Sequence, residues 1–248
     1  WDKKAVALVD ACPELYGASV LAVAEASASA AAAGKAANGE GRDKRLLVID
    51  EMLDTERKYV ADLELLHHFA EECKMDNVVD AEAYYALFSN LDKLLDFQRK
   101  FLILIETPLS QAQRSLEASY KANIGKLFVE QERNFAVYDT FCANHKRASE
   151  MANLELANLQ QKARIMDPKA QLPSFLIKPV QRICKYPLLL RELVKMSPAD
   201  APDMADLKAA EAAMKRVGDR VNEKQRCEEN AIVAAEFKER VEDWKGVK

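Results

Sequence analysis

Several things are scarce in this chain of 248 residues, and each scarcity removes a class of function. Glycine occurs seven times and histidine three times. Neither GxxxxGK[ST] nor GxGxxG is present, so the two common phosphate-cradling loops are missing. No apolar run reaches the roughly 18 residues that a membrane-spanning helix requires. No basic stripe stands out, and the net charge is −4 with acidic and basic residues interleaved, which argues against a nucleic-acid surface. The five cysteines (Cys12, Cys73, Cys142, Cys184, Cys227) form no CxxC pair, which fits small buried hydrophobes in a reducing intracellular compartment. His67 and His68 are adjacent and, on a helix, point about 100° apart, so the two cannot chelate one metal together. With His145 they read as surface histidines, and no cofactor or metal site is expected.

What is present is helix. Hydrophobic residues make up 49% and charged residues 31%, and apolar positions recur at three- and four-residue spacing rather than alternating. The expectation is an all-α protein, an elongated bundle of long helices with short connections. Residues 1–42 differ in composition: an Ala-rich stretch, predicted as a short helix, runs into a Gly/Asn/Gly linker. The chain starts at Trp1 without an initiator methionine and reads as a fragment or processed form.

From Asp43 to Lys248 the pattern predicts one domain. Its helices are expected at about 43–74, 80–105 (opened by Asp80 and closed before Pro108), 109–116, 121–143, 145–166, 174–196 and 204–242.

Two segments break their own rules. In the first helix the apolar seam reads Leu46, Ile49, Leu53, Glu56, Val60, Leu63, with a glutamate where the period asks for an apolar side chain. An unpaired buried carboxylate is costly. Either a nearby base satisfies Glu56, or that part of the seam is open to a partner. The second segment is LPSFLIKPVQRICKYPLLLREL, where helical periodicity runs straight through Pro179 and Pro187. Persistence of the pattern predicts a kinked helix rather than a stop, with Lys178, Arg182 and Lys185 along one side. A kinked core helix with snorkelling lysines and a partner-binding surface both fit that reading.

TERKYVADLELL and LPSFLIKPVQRICKYPLLLREL together resemble the first and third conserved regions of the Dbl-homology domain, and the likeness extends over about 42–248. LFSNLDKLLDFQRKFLILIE and the closing VNEKQRCEEN and VEDWKG are similar, more narrowly, to the fungal cell-polarity exchange factors of the cell-division-control group. The resemblance implies a guanine nucleotide exchange factor that binds the nucleotide-free form of a Rho-family small GTPase, with no covalent chemistry and no cofactor of its own. The polarity GTPase of the cell-division-control type is the implied target. It also implies a site. Glu56 stands at the family's TER glutamate, which contacts switch I. Lys185 and Asn222 match positions that reach switch II, and Ile177 matches an aliphatic position tied to choice among GTPases. Gln181 and Arg182 lie in the same motif as supporting groups.

The family's following pleckstrin-homology module, and any membrane recruitment through it, is expected beyond Lys248. The implied setting is cytoplasmic, at the polarised cell cortex. The competing expectation is a helical scaffold of the same fold that binds a GTPase or another partner without exchange activity.

Overall fold

A first helix of 32 residues, α1 (Lys44–Met75), is the spine of the bundle. The computed structural model of the protein describes residues 43–242, so the Ala-rich segment 1–42 lies outside the described residues. Asp43 caps α1 by accepting a hydrogen bond from the Arg45 amide at 2.8 Å. The buried stripe of α1 is the one its periodicity announces, including Leu46, Ile49, Leu53, Val60 and Leu63. At 1.5 Å per residue α1 is about 48 Å long.

The remaining elements are α2 (Ala81–Phe88), α3 (Leu91–Ala112), α4 (Leu116–Lys121), α5 (Ile124–Gln131), a 3₁₀ turn at Asn134–Ala136, α6 (Val137–Leu154), α7 (Leu156–Leu159), a second 3₁₀ turn at Gln160–Lys162, α8 (Leu172–Leu176), α9 (Lys178–Lys195) and α10 (Met204–Glu242). No strand occurs among the described residues. α1 packs on α3 and α9, while α10 runs along α9, α5 and α6.

Three expectations about boundaries are corrected. The predicted helix 80–105 is two helices, because Ser89 adopts φ 48° and turns the chain before α3 begins. Asp80 does cap the first of them, accepting from the Ala83 amide at 2.8 Å. Pro108 lies inside α3 instead of ending it. The buried residues Ile105, Leu109 and Ala112 continue the apolar face across it, so packing outweighs the lost backbone donor. The region 109–166 divides differently too, with α6 running through the predicted break near 144.

The core is aromatic at its centre. Phe101, Phe128, Phe135 and Tyr186 meet with ring centroids 5.2 to 6.4 Å apart, mostly edge to face. One end of the bundle is held by a polar clasp. The fully buried Arg45 guanidinium pairs with Asp203 at 2.5 Å and donates to Ser119 Oγ at 2.9 Å, tying α1 to α4 and to the entry of α10.

The crossing of α5 and α10 depends on Gly125. A Cβ there would lie 2.3 Å from the Asp206 carbonyl carbon, and backbone cannot move aside as a flexible side chain can. Gly125→Ala is therefore expected to cost about 3 kcal/mol or more in urea unfolding. Gly218, inside α10, has nothing within 4 Å of its would-be Cβ. Gly218→Ala should instead stabilise the protein by about 1 kcal/mol through helix propensity.

Candidate GTPase-binding face

α9 begins where sequence periodicity alone implied continuity. The chain breaks at Ile177, between α8 and α9, so the segment is two helices and not one kinked helix. Pro179 falls in the first turn of α9, where no intrahelical donor is needed. Pro187 is in the interior and removes the donor that would reach the Ile183 carbonyl. Tyr186, Leu189, Leu190 and Leu193 are buried around it, and their packing carries the helix on.

With that start, α9 runs antiparallel to α1 and meets it in charged rungs. Lys178 Nζ lies 2.8 Å from Asp62 Oδ2, Arg182 pairs with Glu56, and Lys185 Nζ lies 3.5 Å from Glu51 Oε1. The outer rungs are partly exposed, with Glu51 and Lys185 side chains at 31% and 30%. The central rung is sealed. Glu56 has 0% exposure and Arg182 4%.

The chemistry around Glu56 is closed. Its Oε2 accepts from two nitrogens of Arg182, one of them Nε at 3.0 Å. Its Oε1 accepts from the Tyr186 hydroxyl at 3.0 Å and from Gln98 Nε2. Gln98 Nε2 also donates to the Tyr186 oxygen at 2.9 Å, and Gln98 Oε1 accepts from the Tyr138 hydroxyl at 3.0 Å. Tyr138 and Tyr59 complete the set with hydroxyls 3.1 Å apart. α1, α3, α6 and α9 each contribute. Arg182 spends another nitrogen on Thr55 Oγ1 at 2.9 Å and stacks 4.7 Å from the Tyr186 ring centroid. Burial alone would lower the Arg182 pKa, but the Glu56 carboxylate reverses this and holds it above the ordinary value. Burial, reinforced by Glu56, pushes the Tyr186 phenol up as well.

Of the two readings open for Glu56, the structure thus supplies the base and closes the seam. In this structure Glu56 sits inside the seam, paired with Arg182, rather than at the surface of α1. A partly exposed carboxylate that faces α9 is Glu51, on the flank of the same helix, which periodicity passed over because it interrupts nothing. Its signal was its register: Glu51, Thr55 and Asp62 form one stripe of α1 that matches Lys185, Arg182 and Lys178 on α9. Lys185 lies on this face, partly exposed, as do Gln181 and Ile177 at the head of α9, the latter packed against the core. Asn222 is partly buried on α10, the helix that runs beside α9, directly after the buried Val221. Arg57 points away and pairs with Glu106 at 2.9 Å on an exposed part of α3. No helix among the described residues is long and apolar enough to cross a membrane.

Comparison with known proteins gives this face a family. The RhoGEF domain model matches residues 48–222, a span that contains the three α1–α9 rungs and Asn222. The chain is 37% identical over 199 residues to the Rho guanine nucleotide exchange factor scd1 of Schizosaccharomyces pombe, covering 80% of this chain and 22% of that protein. It is also 37% identical over 202 residues to Cell division control protein 24 of Saccharomyces cerevisiae, covering 80% of this chain and 23% of that protein. The chain therefore spans under a quarter of the length of these relatives. Among solved structures it is similar to an activated truncation of Vav1, with a TM-score of 0.69 at 27% identity, covering 79% of this chain and 50% of that one. The DH domain of FARP2 shares the fold at a TM-score of 0.63, with 80% of this chain and 98% of that one covered. An all-α bundle whose first and penultimate long helices meet in these motifs, matched across most of its described length, belongs to the RhoGEF, or Dbl-homology, domain family.

Proposed function

We propose that this domain promotes nucleotide exchange on a Rho-family small GTPase, and that its preferred substrate is the polarity GTPase of the cell-division-control type. The observation that carries the reading is the Glu51–Lys185 rung, a partly exposed ion pair mounted on a sealed core, within the segments that the family model matches. Membership in the family supports exchange. The 37% identity to two fungal proteins, one of them named as a Rho guanine nucleotide exchange factor, supports exchange on a Rho-type GTPase, and the narrower target rests on the resemblance of the sequence to the fungal cell-polarity exchange factors.

The mechanism requires no bond chemistry from this chain. A GTPase holds its nucleotide through ordered switch loops and Mg²⁺, which belong to the GTPase. A surface that binds the nucleotide-free conformation more tightly than the loaded one shifts the population toward release, and by linkage incoming nucleotide weakens the complex. Glu51 offers acceptors to a switch segment and Lys185 offers donors. An exposed ion pair contributes only about 0–1 kcal/mol, so exchanging it for partner contacts costs the domain little. Gln181 and Ile177 extend the surface along α9, and Asn222 extends it onto α10. Any recruitment to a membrane or to the cell cortex then falls to segments outside these helices.

Release of fluorescent GDP from a panel of Rho-type GTPases tests the assignment. Wild type should accelerate release most from the polarity GTPase. Glu51→Ala, Lys185→Ala and Asn222→Ala should each slow exchange about tenfold or more while keeping the wild-type helical circular dichroism. Wild-type protein inert toward the whole panel would instead establish the scaffold reading, and full activity in all three variants would remove the face from the mechanism.

Glu56→Ala belongs to a different class. It strands the Arg182 charge in the core and is expected to cost about 3–5 kcal/mol of stability, measured by urea denaturation. A variant as stable as wild type would show that Glu56 is not the buried partner described above.

A further inference from the structure

His67, read from the sequence as a plain surface histidine, is partly buried and paired in the structure. Its neighbour His68 points elsewhere, but Glu71 lies one helical turn on, on the same side of α1. From the first turn of α3, Asp92 reaches across, with Oδ1 3.1 Å from His67 Nε2. One donor atom from each of His67, Glu71 and Asp92 falls within 4.8 Å of the other two. Glu71 is itself oriented, accepting from the Tyr84 hydroxyl of α2 at 3.3 Å.

We propose that His67, Glu71 and Asp92 form a site for a divalent transition metal, Zn²⁺ being the best match, that clamps the second half of α1 to the start of α3. The argument is one of donor type, spacing and support. Two carboxylates alone on a protein surface signify little. An imidazole nitrogen among them selects Zn²⁺, Co²⁺ or Ni²⁺ over Mg²⁺ and Ca²⁺, which prefer oxygen alone. Zinc–nitrogen and zinc–oxygen bonds of about 2.0–2.2 Å put neighbouring ligand atoms about 3.3 Å apart in a tetrahedron. The His67–Asp92 separation of 3.1 Å is close to that value, and the Glu71 carboxylate lies within 4.8 Å of both.

The scaffold beneath is rigid: Leu66, Phe69 and Ala70 of α1 and Leu91, Leu94 and Leu95 of α3 are buried at or below 2% exposure. The Tyr84–Glu71 hydrogen bond is an outer-shell contact of the type that fixes ligating carboxylates. Three protein ligands leave a fourth position for water. The site is independent of the GTPase-binding face, since its ligands begin eleven residues beyond Glu56 and involve neither α9 nor α10.

The test titrates the metal-freed protein with Zn²⁺ by calorimetry and with Co²⁺ by visible absorption. Wild type should bind one ion, show the d–d bands of a low-coordinate cobalt site, and melt at a higher temperature with zinc. His67→Ala and Asp92→Asn should each weaken binding at least tenfold and lose the thermal shift. His68→Ala should bind as wild type, and His67→Cys should restore binding through a thiolate. Helical circular dichroism identifies any variant that fails to fold, and His67→Gln then replaces His67→Ala. Absence of saturable binding to wild type, or equal affinity in His67→Ala and Asp92→Asn, would overturn the proposal. Exchange assays are unaffected by either result, so the two proposals stand or fall separately.

Discussion

The carboxylate of Glu56 sits in the middle of an apolar seam, and the architecture around it is organised so that it can be there. Removing a carboxylate and a guanidinium from water costs several kcal/mol per ion, and attraction between them repays this only when the remaining donors and acceptors are also matched. Here they are matched by Gln98 and Tyr186, with Tyr138 and Tyr59 behind them. The requirement is geometric and reaches four helices. Apolar packing alone tolerates sliding of α9 along α1, because neighbouring leucines are nearly equivalent. The Glu56 network does not, since a shift by one residue would strand Arg182, the Tyr186 hydroxyl and one end of Gln98. It fixes register, and register places everything on the outer face.

That dependence explains the two prolines in LPSFLIKPVQRICKYPLLLREL. Pro179 forces a new helix to start after Ile177, which sets the phase of α9. In that phase Lys178, Arg182 and Lys185 fall opposite Asp62, Glu56 and Glu51. Pro187 lies one residue past Tyr186, where a missing backbone donor is offset by dense burial on either side.

Much of the fold was legible because long amphipathic helices announce themselves. α1 and α10 follow from periodicity, as does the apolar face of α9 though not its start, and Asp43 and Asp80 are caps that can be read directly. Breaks were less legible where the cause is a backbone state and not a residue type. Ser89 adopts a positive φ with no glycine to flag it, and Pro108 is overridden by the burial of Ile105, Leu109 and Ala112. The site was legible in part. Glu56 was conspicuous because it violated the pattern, and the violation turned out to mark an internal partner. Glu51 was inconspicuous because an acidic residue on a helix flank violates nothing, and only the register with Lys185 gives it meaning. The grouping of His67, Glu71 and Asp92 joins residues 25 positions apart and depends on how α1 lies against α3, which no local pattern encodes.

The distribution of strong and weak interactions across this face then acquires a rationale. Charges in the central rung are buried, hydrogen-bonded on every side and expensive to disturb, so they hold α1 and α9 as one rigid surface. Outward, the charges of the end rungs keep about a third or less of their side-chain surface in solvent and contribute little to stability. On the proposed function, a surface that recognises one conformation of a partner and then releases it benefits from that order. Rigidity below preserves the geometry that discriminates between partner states, while labile pairs above can be exchanged for partner contacts without unfolding the domain. Reversing the arrangement, with weak pairs inside and strong ones outside, would give a face that deforms to fit either state of its partner. Such a face could bind, but it would have no differential affinity with which to shift an equilibrium.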